Sequence, residues 1–403
     1  MLLREVLAEA IDNQRCAPVL EPEVKRRLLG GIRLAKGRAL VLKGVRRSGK
    51  SVLQRQLMAG SGRSLYCNLE DTRLYGLGPE DFPALLALAG SRLPKGGTVF
   101  LDEIQEVPAW ERLVRALLDH GHRVCVTGSN ASLLGRELGS KLTGRHASYE
   151  VFPFDYSEYL AFTRQKPGAR SLVRFLDDGG FPGYLENRHD PLLRELLRDI
   201  VLRDIAQRHH LRETRHLMNL TLHLMAHTGQ AVSMQSLTKA LAIPSVAQTS
   251  RYLEYLADAY LLLPLPKACE SFKRRVVSPN KYYAVDNGLR RANSPQSAPD
   301  LGRRLENQVF LALRSRDGEV FYQAEKDAWE CDFVTPAAAI QVCCQLTPEN
   351  RARELRGLVR AARKRVGHPR RAFVLTLDQR DKITEDGLAI EILPAWEWLL
   401  EMP

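Results

Sequence analysis

The chain has 403 residues, of which 44 % are hydrophobic and 26 % charged, a composition typical of folded domains rather than disordered or fibrous chains. A single core stops growing at about 250–300 residues, so two or three domains are expected. The formal net charge of +12 raises the expectation of a nucleic-acid partner, because Lys and Arg neutralise backbone phosphates, but charge alone does not decide it.

Two further features argue against a membrane protein and a disulfide framework. Residues 1–13 have an amphipathic helix pattern without a signal-peptide core, and no apolar stretch approaches the ~20 residues that span a bilayer. The seven cysteines are scattered without metal-ligand spacing. We therefore expect a cytoplasmic protein with no membrane partner, and we infer neither disulfides nor zinc.

A strand predicted over 38–42 and a helix predicted over 52–58 flank a segment with the pattern Gly-x-x-x-x-Gly-Lys-Ser. In this pattern the glycines allow a tight turn whose N–H groups face a polyphosphate. Lys50 reaches the β- and γ-phosphates, and the Ser51 hydroxyl binds Mg²⁺. We predict a nucleotide site here. Its expected residues are Gly44, Val45, Arg46, Arg47, Ser48, Gly49, Lys50, Ser51 and Val52.

A second apolar run, 98–102, ends in two acids, the Walker B arrangement. Asp102 is expected to hold the Mg²⁺ shell with Ser51, and Glu103 to polarise the attacking water. The pair predicts an ATPase rather than a passive binder; the alternative is that both acids only cap the strand. A third strand, 123–127, is followed by Ser129 and Asn130, either of which is a candidate to orient that water, unless the segment is a simple turn.

The alternation of apolar runs with helix-length stretches predicts an α/β core with a parallel sheet. Its strands are expected at 38–42, 64–69, 98–102, 123–127 and 147–152. We divide the chain into a P-loop ATPase core over 1–153, a helical lid over 154–214, a winged helix over 215–290, and a small α/β domain over 300–403.

The winged-helix interpretation comes from three predicted helices (216–228, 234–241 and 246–259) followed by strands at 261–263 and 281–285. The third helix carries Arg251 but also Glu254 and Asp258. The wing is expected to carry Lys273, Arg274 and Arg275, which can contact phosphates. A DNA contact, a protein contact and a purely structural role all remain open for this domain.

The terminal domain has the spacing of a restriction-endonuclease-like fold. Glu306 lies on its first predicted helix, Asp332 begins a strand, and the next strand has Gln341 and Cys343 where such nucleases have Glu-x-Lys. Loss of a carboxylate and the lysine removes metal charge balance and the cation that stabilises a pentavalent phosphate. We therefore expect this domain to be inactive.

Taken together, these motifs resemble a prokaryotic family of AAA-type (AAA+) ATPases whose C-terminal domain of unknown function contains a winged helix and a nuclease-like fold. The segments that carry the resemblance are 44–51, 101–105, 127–129, 143–145, 180–182 and 283–289. The resemblance implies an AAA+ core with strand order 5-1-4-3-2, ATP as nucleotide, and activity in a ring or partner-dependent homo-oligomer. It also implies Arg145 as the arginine finger, with Arg136 in reserve; pairing of Arg145 with a local carboxylate is the alternative.

Three functions follow as hypotheses. The leading one is an ATP-hydrolysing AAA+ protein that couples its nucleotide state to DNA association or remodelling. The second is a signalling or scaffold NTPase whose C-terminal domains bind a protein partner. The third is an ATP-gated nuclease.

Overall fold

The computed structural model describes residues 4–15, 24–129, 142, 144–269, 271–294, 300–325, 328–363 and 371–401. Two compact units make up the chain. The first spans Met1–Phe152 with Asp258–Tyr260, and the second Pro153–Ala257 with Leu261–Pro403. The domain boundaries predicted at 153, 214, 290 and 300 stay predictions.

The first unit is built on a five-stranded sheet in which every neighbouring pair is parallel. Its strands are β1 (Ala39–Lys43), β2 (Ser64–Asn68), β3 (Thr98–Asp102), β4 (Arg123–Gly128) and β5 (His146–Glu150). They lie in the order β2-β3-β4-β1-β5. This confirms the predicted α/β class and the order 5-1-4-3-2. The α-helices of its described residues are α1 (Arg4–Arg15), α2 (Lys50–Ala59), α3 (Phe82–Arg92) and α4 (Trp110–Asp119).

The central strands are buried on both faces, which explains their continuous apolar runs. Along β1, Ala39 and Val41 pack into one hydrophobic cluster, whereas Leu40 and Leu42 pack into the other. Because the strands are parallel, their carboxyl ends meet at one edge, where Lys43 is in register with Gly128. The loops that follow β1, β3 and β4 therefore lie side by side.

Helices form the first part of the second unit. They are α5 (Tyr156–Thr163), α6 (Ala169–Asp178), α7 (Pro182–Asn187) and α8 (Asp190–Asp199), and α8 continues as a π-helix over Ile200–Gln207. The first is fixed by a capping box, in which Asp155 accepts the Glu158 N–H at 2.8 Å and Glu158 accepts the Asp155 N–H at 3.1 Å.

A three-stranded antiparallel sheet follows, ordered β6-β8-β7. The elements are α9 (Arg215–Ala226), β6 (Ala231–Val232), α10 (Met234–Ala240), α11 (Val246–Asp258), β7 (Leu262–Leu265), α12 (Phe272–Val277), β8 (Asn280–Ala284) and α13 (Asn287–Asn293). Lys273, Arg274 and Arg275, which were expected on the wing, lie between the antiparallel strands β7 and β8. They lie on α12, because the Ser271 hydroxyl accepts the Arg274 N–H and starts a helix there.

The terminal part has a six-stranded mixed sheet in the order β13-β14-β12-β11-β10-β9. Its elements are α14 (Leu301–Asp317), β9 (Phe321–Glu325), β10 (Trp329–Val334), β11 (Ala338–Val342), α15 (Pro348–Arg363), β12 (Arg371–Thr376), β13 (Asp381–Glu385), β14 (Leu388–Pro394) and α16 (Ala395–Glu401). Strands β12, β13 and β14 follow α15 within the range 300–403 that was predicted as a small α/β domain. Among the helices of the described ranges, none has the length and apolar character to cross a membrane.

Candidate functional site

The phosphate loop turns between β1 and α2 at two glycines that leave no room for a side chain. A Cβ on Gly44 would lie 2.1 Å from the Val151 carbonyl oxygen, and one on Gly49 would lie 2.6 Å from Nη1 of Arg26. Gly49 also has a φ of +91°, in the left-handed region that favours glycine. The loop backbone therefore follows a path that only these glycines allow.

Lys50 is the first residue of α2, and its ammonium lies within the turn of the loop. Its Nζ donates to the carbonyl oxygens of Gly44 at 3.1 Å and Val45 at 3.0 Å, and the residue is only 3 % exposed. The positive charge is thus held beside the N-terminus of α2, where backbone N–H groups and the helix dipole favour an anion. This placement fits the predicted contact with phosphate.

Two serine hydroxyls are buried at the same edge of the sheet. Ser48 Oγ, in the loop, and Ser129 Oγ, just after β4, have no hydrogen-bond partner within the part of the chain that the structure describes. Leaving such a group unsatisfied costs about 1–3 kcal/mol. A polyphosphate, which presents many acceptor oxygens, fits these two donors. Ser129 thus lies where the predicted sensor belongs, whereas Asn130 falls outside the described residues.

Arg26 supports the phosphate loop through hydrogen bonds to backbone carbonyls. Nothing in the sequence motifs had pointed to this residue. Its guanidinium donates to the carbonyl oxygens of Ser48 and Phe152, each at 2.7 Å, and the residue is only 4 % exposed. Its backbone N–H donates to the Gln56 side chain at 3.0 Å, which ties it to α2 as well. One arginine therefore links the loop, its helix and the segment after β5.

Asp102 lies at the end of β3, 2 % exposed, and accepts two hydroxyl hydrogen bonds. Tyr66 donates to Oδ2 at 2.8 Å, and Thr127 donates to Oδ1. Burial, with the nearby Asp102 charge, raises the pKa of Tyr66, so this phenol stays a donor. A carboxylate held this way, with a serine hydroxyl such as that of Ser51, matches the oxygen ligands that Mg²⁺ prefers.

Glu103 follows in the left-handed conformation, with a φ of 52°, which turns its side chain away from the strand direction. Its backbone N–H donates to the Thr127 hydroxyl at 2.9 Å, and its carboxylate accepts from Gln105 at 2.6 Å. Thr127 thus connects both acids. The predicted roles of Glu103 and Asp102 stay predictions.

A further acid, Glu70, lies beside this pair after β2. Burial, followed by the charge of Glu103, raises the pKa of Glu70, while Arg46 opposes the rise. The Arg46 guanidinium lies 3.6 Å from Glu70. Arg46, the third residue of the phosphate loop, is therefore paired with an acid that follows β2, the strand next to β3.

Arg145 has the local partner that was the alternative to a finger role. It donates to Asp119 at 2.8 Å and to the Gly37 carbonyl at 3.3 Å. It precedes β5, so it lies at the amino edge of the sheet, opposite the phosphate loop. A finger acts on a neighbouring subunit, so the role stays a prediction. Arg136 lies outside the described residues.

The acids predicted in the terminal domain do converge, but around a lysine. Lys281 on β8 has its Nζ 3.2 Å from Glu306, 2.7 Å from Glu330 and 3.8 Å from Asp332. Burial alone would lower the pKa of Lys281, but Glu306 and the other acids raise it well above its ordinary value. Burial and Glu306 in turn raise the pKa of Asp332.

Comparison with known proteins gives two family matches. The model of an AAA domain matches residues 36–160, and that of a domain of unknown function, DUF8612, matches residues 169–300. Together they account for most of the chain up to the terminal sheet.

Two relatives match nearly the whole chain. The uncharacterized protein MJ1544 of Methanocaldococcus jannaschii is 30 % identical over 431 residues, covering 99 % of this chain and 95 % of that protein. An uncharacterized protein of Haemophilus influenzae is 30 % identical over 386 residues, covering 90 % of this chain and 94 % of that protein. Among solved structures, the Walker-type ATPase PABY2304 of Pyrococcus abyssi matches with a TM-score of 0.42 and 17 % identity, covering 63 % of this chain and 90 % of that one.

Proposed function

Because the chain belongs to the family of AAA-type ATPases with a C-terminal domain of unknown function, we propose that it binds and hydrolyses ATP at its phosphate loop. One observation carries the proposal: Lys50, the buried hydroxyls of Ser48 and Ser129, and Asp102 meet at one edge of the sheet. A nucleotide bound there would have its phosphates at the start of α2.

The roles follow from the chemistry of each group. Lys50 neutralises phosphate charge, and loop N–H groups orient the phosphates. Ser51 and Asp102 would hold Mg²⁺, which when bound supplies positive charge to the phosphate oxygens. Glu103 accepts a proton from the attacking water, and Thr127 positions both acids by its two hydrogen bonds.

The direct test compares steady-state hydrolysis by the wild type, Lys50→Ala and Glu103→Gln proteins. The proposal expects Lys50→Ala to lose nucleotide binding, because the loop loses its charge. It expects Glu103→Gln to bind ATP but turn over at least ~10²-fold more slowly, the lower end of what a positioned base contributes. A Glu103→Gln protein that hydrolyses ATP at the wild-type rate would contradict this assignment.

We further propose that the nucleotide state is coupled to DNA association through the elements α9 to β8. Their order, three helices with an antiparallel sheet, is that of a winged helix, and the chain carries a net charge of +12. Lys273 and Arg274 are both exposed on α12, between the two longer strands of that sheet. These two side chains are the proposed phosphate contacts.

The test of DNA association uses Lys273→Ala/Arg274→Ala. Duplex binding is expected to weaken at all sequences, and its salt slope to fall by about 1–2, since each phosphate contact contributes ~0.9. The matched control is Arg33→Ala/Lys36→Ala, which removes two exposed cations from the first unit. Equal loss in both variants, or no duplex binding by the wild type, would refute this part.

A protein partner is the second candidate function, favoured by α11. The exposed charges of that helix, Arg251 and Glu254, have opposite signs and cancel, which suits a protein surface better than a phosphate backbone. This candidate predicts slow ATP hydrolysis that DNA does not stimulate. It also predicts that the immobilised protein retains a protein partner from extract treated with nuclease. Retention should be lost in the charge-swapped variant Arg251→Glu/Glu254→Arg.

We also propose that the protein works as a homo-oligomer and resides in the cytoplasm. A finger from a neighbour typically contributes ~10³–10⁵ in rate, so Arg145→Ala should slow hydrolysis far more than it weakens ATP binding. Asp119→Ala is the matched control, because it removes the ion pair with Arg145 and a 4.0 Å pair with Arg115 but leaves the Arg145 guanidinium in place. Equal rates of ATP hydrolysis in the two variants would mean that Arg145 acts only through its ion pair within the chain.

A further inference from the structure

The terminal sheet has an acidic cavity of about 540 Å³, open to solvent. Glu306, Glu330 and Asp332, here called the acid cluster, line it together with Glu354 and the arginines Arg353 and Arg356. A nuclease of this general fold would place a divalent cation in such a cavity. The contacts of the residues that line the cavity decide whether it suits a metal ion.

The acid cluster already surrounds a cation, the ammonium of Lys281. This nitrogen lies between 2.7 and 3.8 Å from one oxygen of each of the three carboxylates, and the lysine side chain is 2 % exposed. It also lies 5.4 Å from the centre of the Tyr322 ring. The lysine side chain is almost fully buried, and within the described ranges these carboxylates and the Tyr322 ring compensate its charge.

The strand that carries Lys281 is firmly attached to the helix that carries Glu306. Asn307 accepts the Ala284 N–H at 2.9 Å and donates to the Ala284 carbonyl at 3.0 Å, so β8 is paired with α14 through one amide side chain. Tyr283, two positions after Lys281 and on the same strand face, donates to Glu306 at 2.6 Å. The lysine is thus positioned by the fold rather than by its own flexible stem.

The spacing of the acid cluster suits an ammonium and not a metal. Mg²⁺ needs oxygens at about 2.0–2.1 Å in octahedral geometry. Across the described ranges, no group of three or more His, Cys, Asp or Glu side chains is arranged to hold a metal ion. The position where such a nuclease has its lysine is occupied by the buried thiol of Cys343.

We infer that the ammonium of Lys281, buried behind the wall of this cavity, supplies the positive charge that a divalent cation would supply there, so that the terminal sheet keeps its acid cluster without a metal. A metal would have to displace a buried ammonium that three carboxylates hold. Removal of the ammonium alone would leave these carboxylates uncompensated and open to a divalent ion. The inference is independent of ATP hydrolysis at the phosphate loop.

The experiment titrates nucleotide-free, full-length protein with Mn²⁺ and follows free Mn²⁺ by electron paramagnetic resonance. The variants are wild type, Asp332→Asn, Lys281→Met and Lys281→Met/Asp332→Asn. Wild type and Asp332→Asn are expected to bind Mn²⁺ equally. Lys281→Met is expected to gain one Mn²⁺ site per chain, and the double variant is expected to lack that site. The unfolding temperature of Lys281→Met should be lower than that of the wild type and should rise when Mn²⁺ is added.

Mn²⁺ that binds near the phosphate loop is common to all four proteins, so only binding that depends on Asp332 is counted. Lys382→Met, which removes an exposed lysine on β13 of the same sheet, is the matched control and should behave as wild type. Mn²⁺ binding by the wild type that Asp332→Asn abolishes would overturn the inference. So would a folded Lys281→Met protein that gains no site; if that variant fails to fold, the comparison of wild type with Asp332→Asn decides.

Discussion

Replacement of Arg26 by methionine should weaken ATP binding although the residue lies outside the phosphate-loop pattern. The guanidinium is almost fully buried and donates one 2.7 Å hydrogen bond to the Ser48 carbonyl and one to the Phe152 carbonyl. Methionine fills much of the same volume but donates nothing. The loop then loses the support that fixes its backbone before nucleotide arrives.

The magnitude follows from these two bonds. A hydrogen bond to a charged group contributes about 1.5–3 kcal/mol, so the two together contribute roughly 3–6 kcal/mol to the ordered loop. Part of this loss lowers the free energy of unfolding and part appears as the cost of ordering the loop on binding. If about half falls on binding, the dissociation constant for ATP rises ~10–100-fold, since 1.4 kcal/mol is tenfold.

The assay is calorimetric titration with ATP and Mg²⁺, with thermal unfolding measured alongside. Arg26→Lys should give an intermediate loss, because one ammonium replaces a fork that reaches two carbonyls. Arg33→Ala, at an exposed position nearby in sequence, is the control and should bind ATP as wild type does. A folded Arg26→Met protein that binds ATP within twofold of wild type would refute the reasoning.

Three other predictions follow from the structure. The Glu103→Gln protein should hold bound ATP unhydrolysed for a time in which the wild type completes many turnovers, because it loses the catalytic base but keeps the phosphate loop. Chromatography of the nucleotide released from this protein should show ATP. Burial raises the pKa of Asp286 to about 6, above its unfolded value, so the folded state holds a proton between about pH 4 and 6 that the unfolded state releases. The unfolding free energy of wild type relative to Asp286→Asn should therefore fall by roughly 3 kcal/mol as pH rises through that window, as measured by denaturant titration. Gly357→Ala should lower the unfolding temperature, since a Cβ there would lie 1.7 Å from the Glu330 carbonyl oxygen.

Each of these has an outcome that would contradict it. Recovery of ADP from the Glu103→Gln complex would remove Glu103 from the hydrolytic step. A difference between wild type and Asp286→Asn that stays constant from pH 4 to 7 would mean that this carboxyl titrates normally. For Gly357 the matched control is Gly90, a helical glycine with open space around its Cβ position, where alanine should be tolerated or stabilising. Equal effects of the two changes would contradict the steric argument.

The sequence alone was sufficient where the signal is local. The loop pattern, each apolar run and the pair of acids at the end of β3 are each formed by a few consecutive residues, so strand, turn and helix could be predicted with their order. The parallel sheet follows from the alternation of these segments. The order of its strands came from the resemblance to a family and not from composition or spacing.

What could not be predicted depends on contacts between distant parts of the chain. Arg26 reaches Ser48 22 positions away and Phe152 126 positions away, and nothing in its own neighbourhood distinguishes it from other arginines. Lys281 meets Glu306 25 positions away. The sequence did contain an indication of this contact. Lys281 begins the apolar run Lys-Tyr-Tyr-Ala-Val, and a lysine on a buried strand needs an acidic partner.

The helix α12 shows a different limit. A basic run was predicted to lie on the wing between two strands, and β7 and β8 do flank it, but the serine before it also caps a helix, so the cations lie on helical turns. The local hydrogen bond of Ser271 decided the structure against the simpler pattern.

The most direct test of the account is calorimetric titration of the wild-type protein with ATP in the presence of Mg²⁺, beside Lys50→Ala. The account predicts saturable binding of one ATP per chain by the wild type and loss of that binding in the variant. A folded wild-type protein that gives no saturable binding, or a Lys50→Ala variant that binds as tightly, would contradict it.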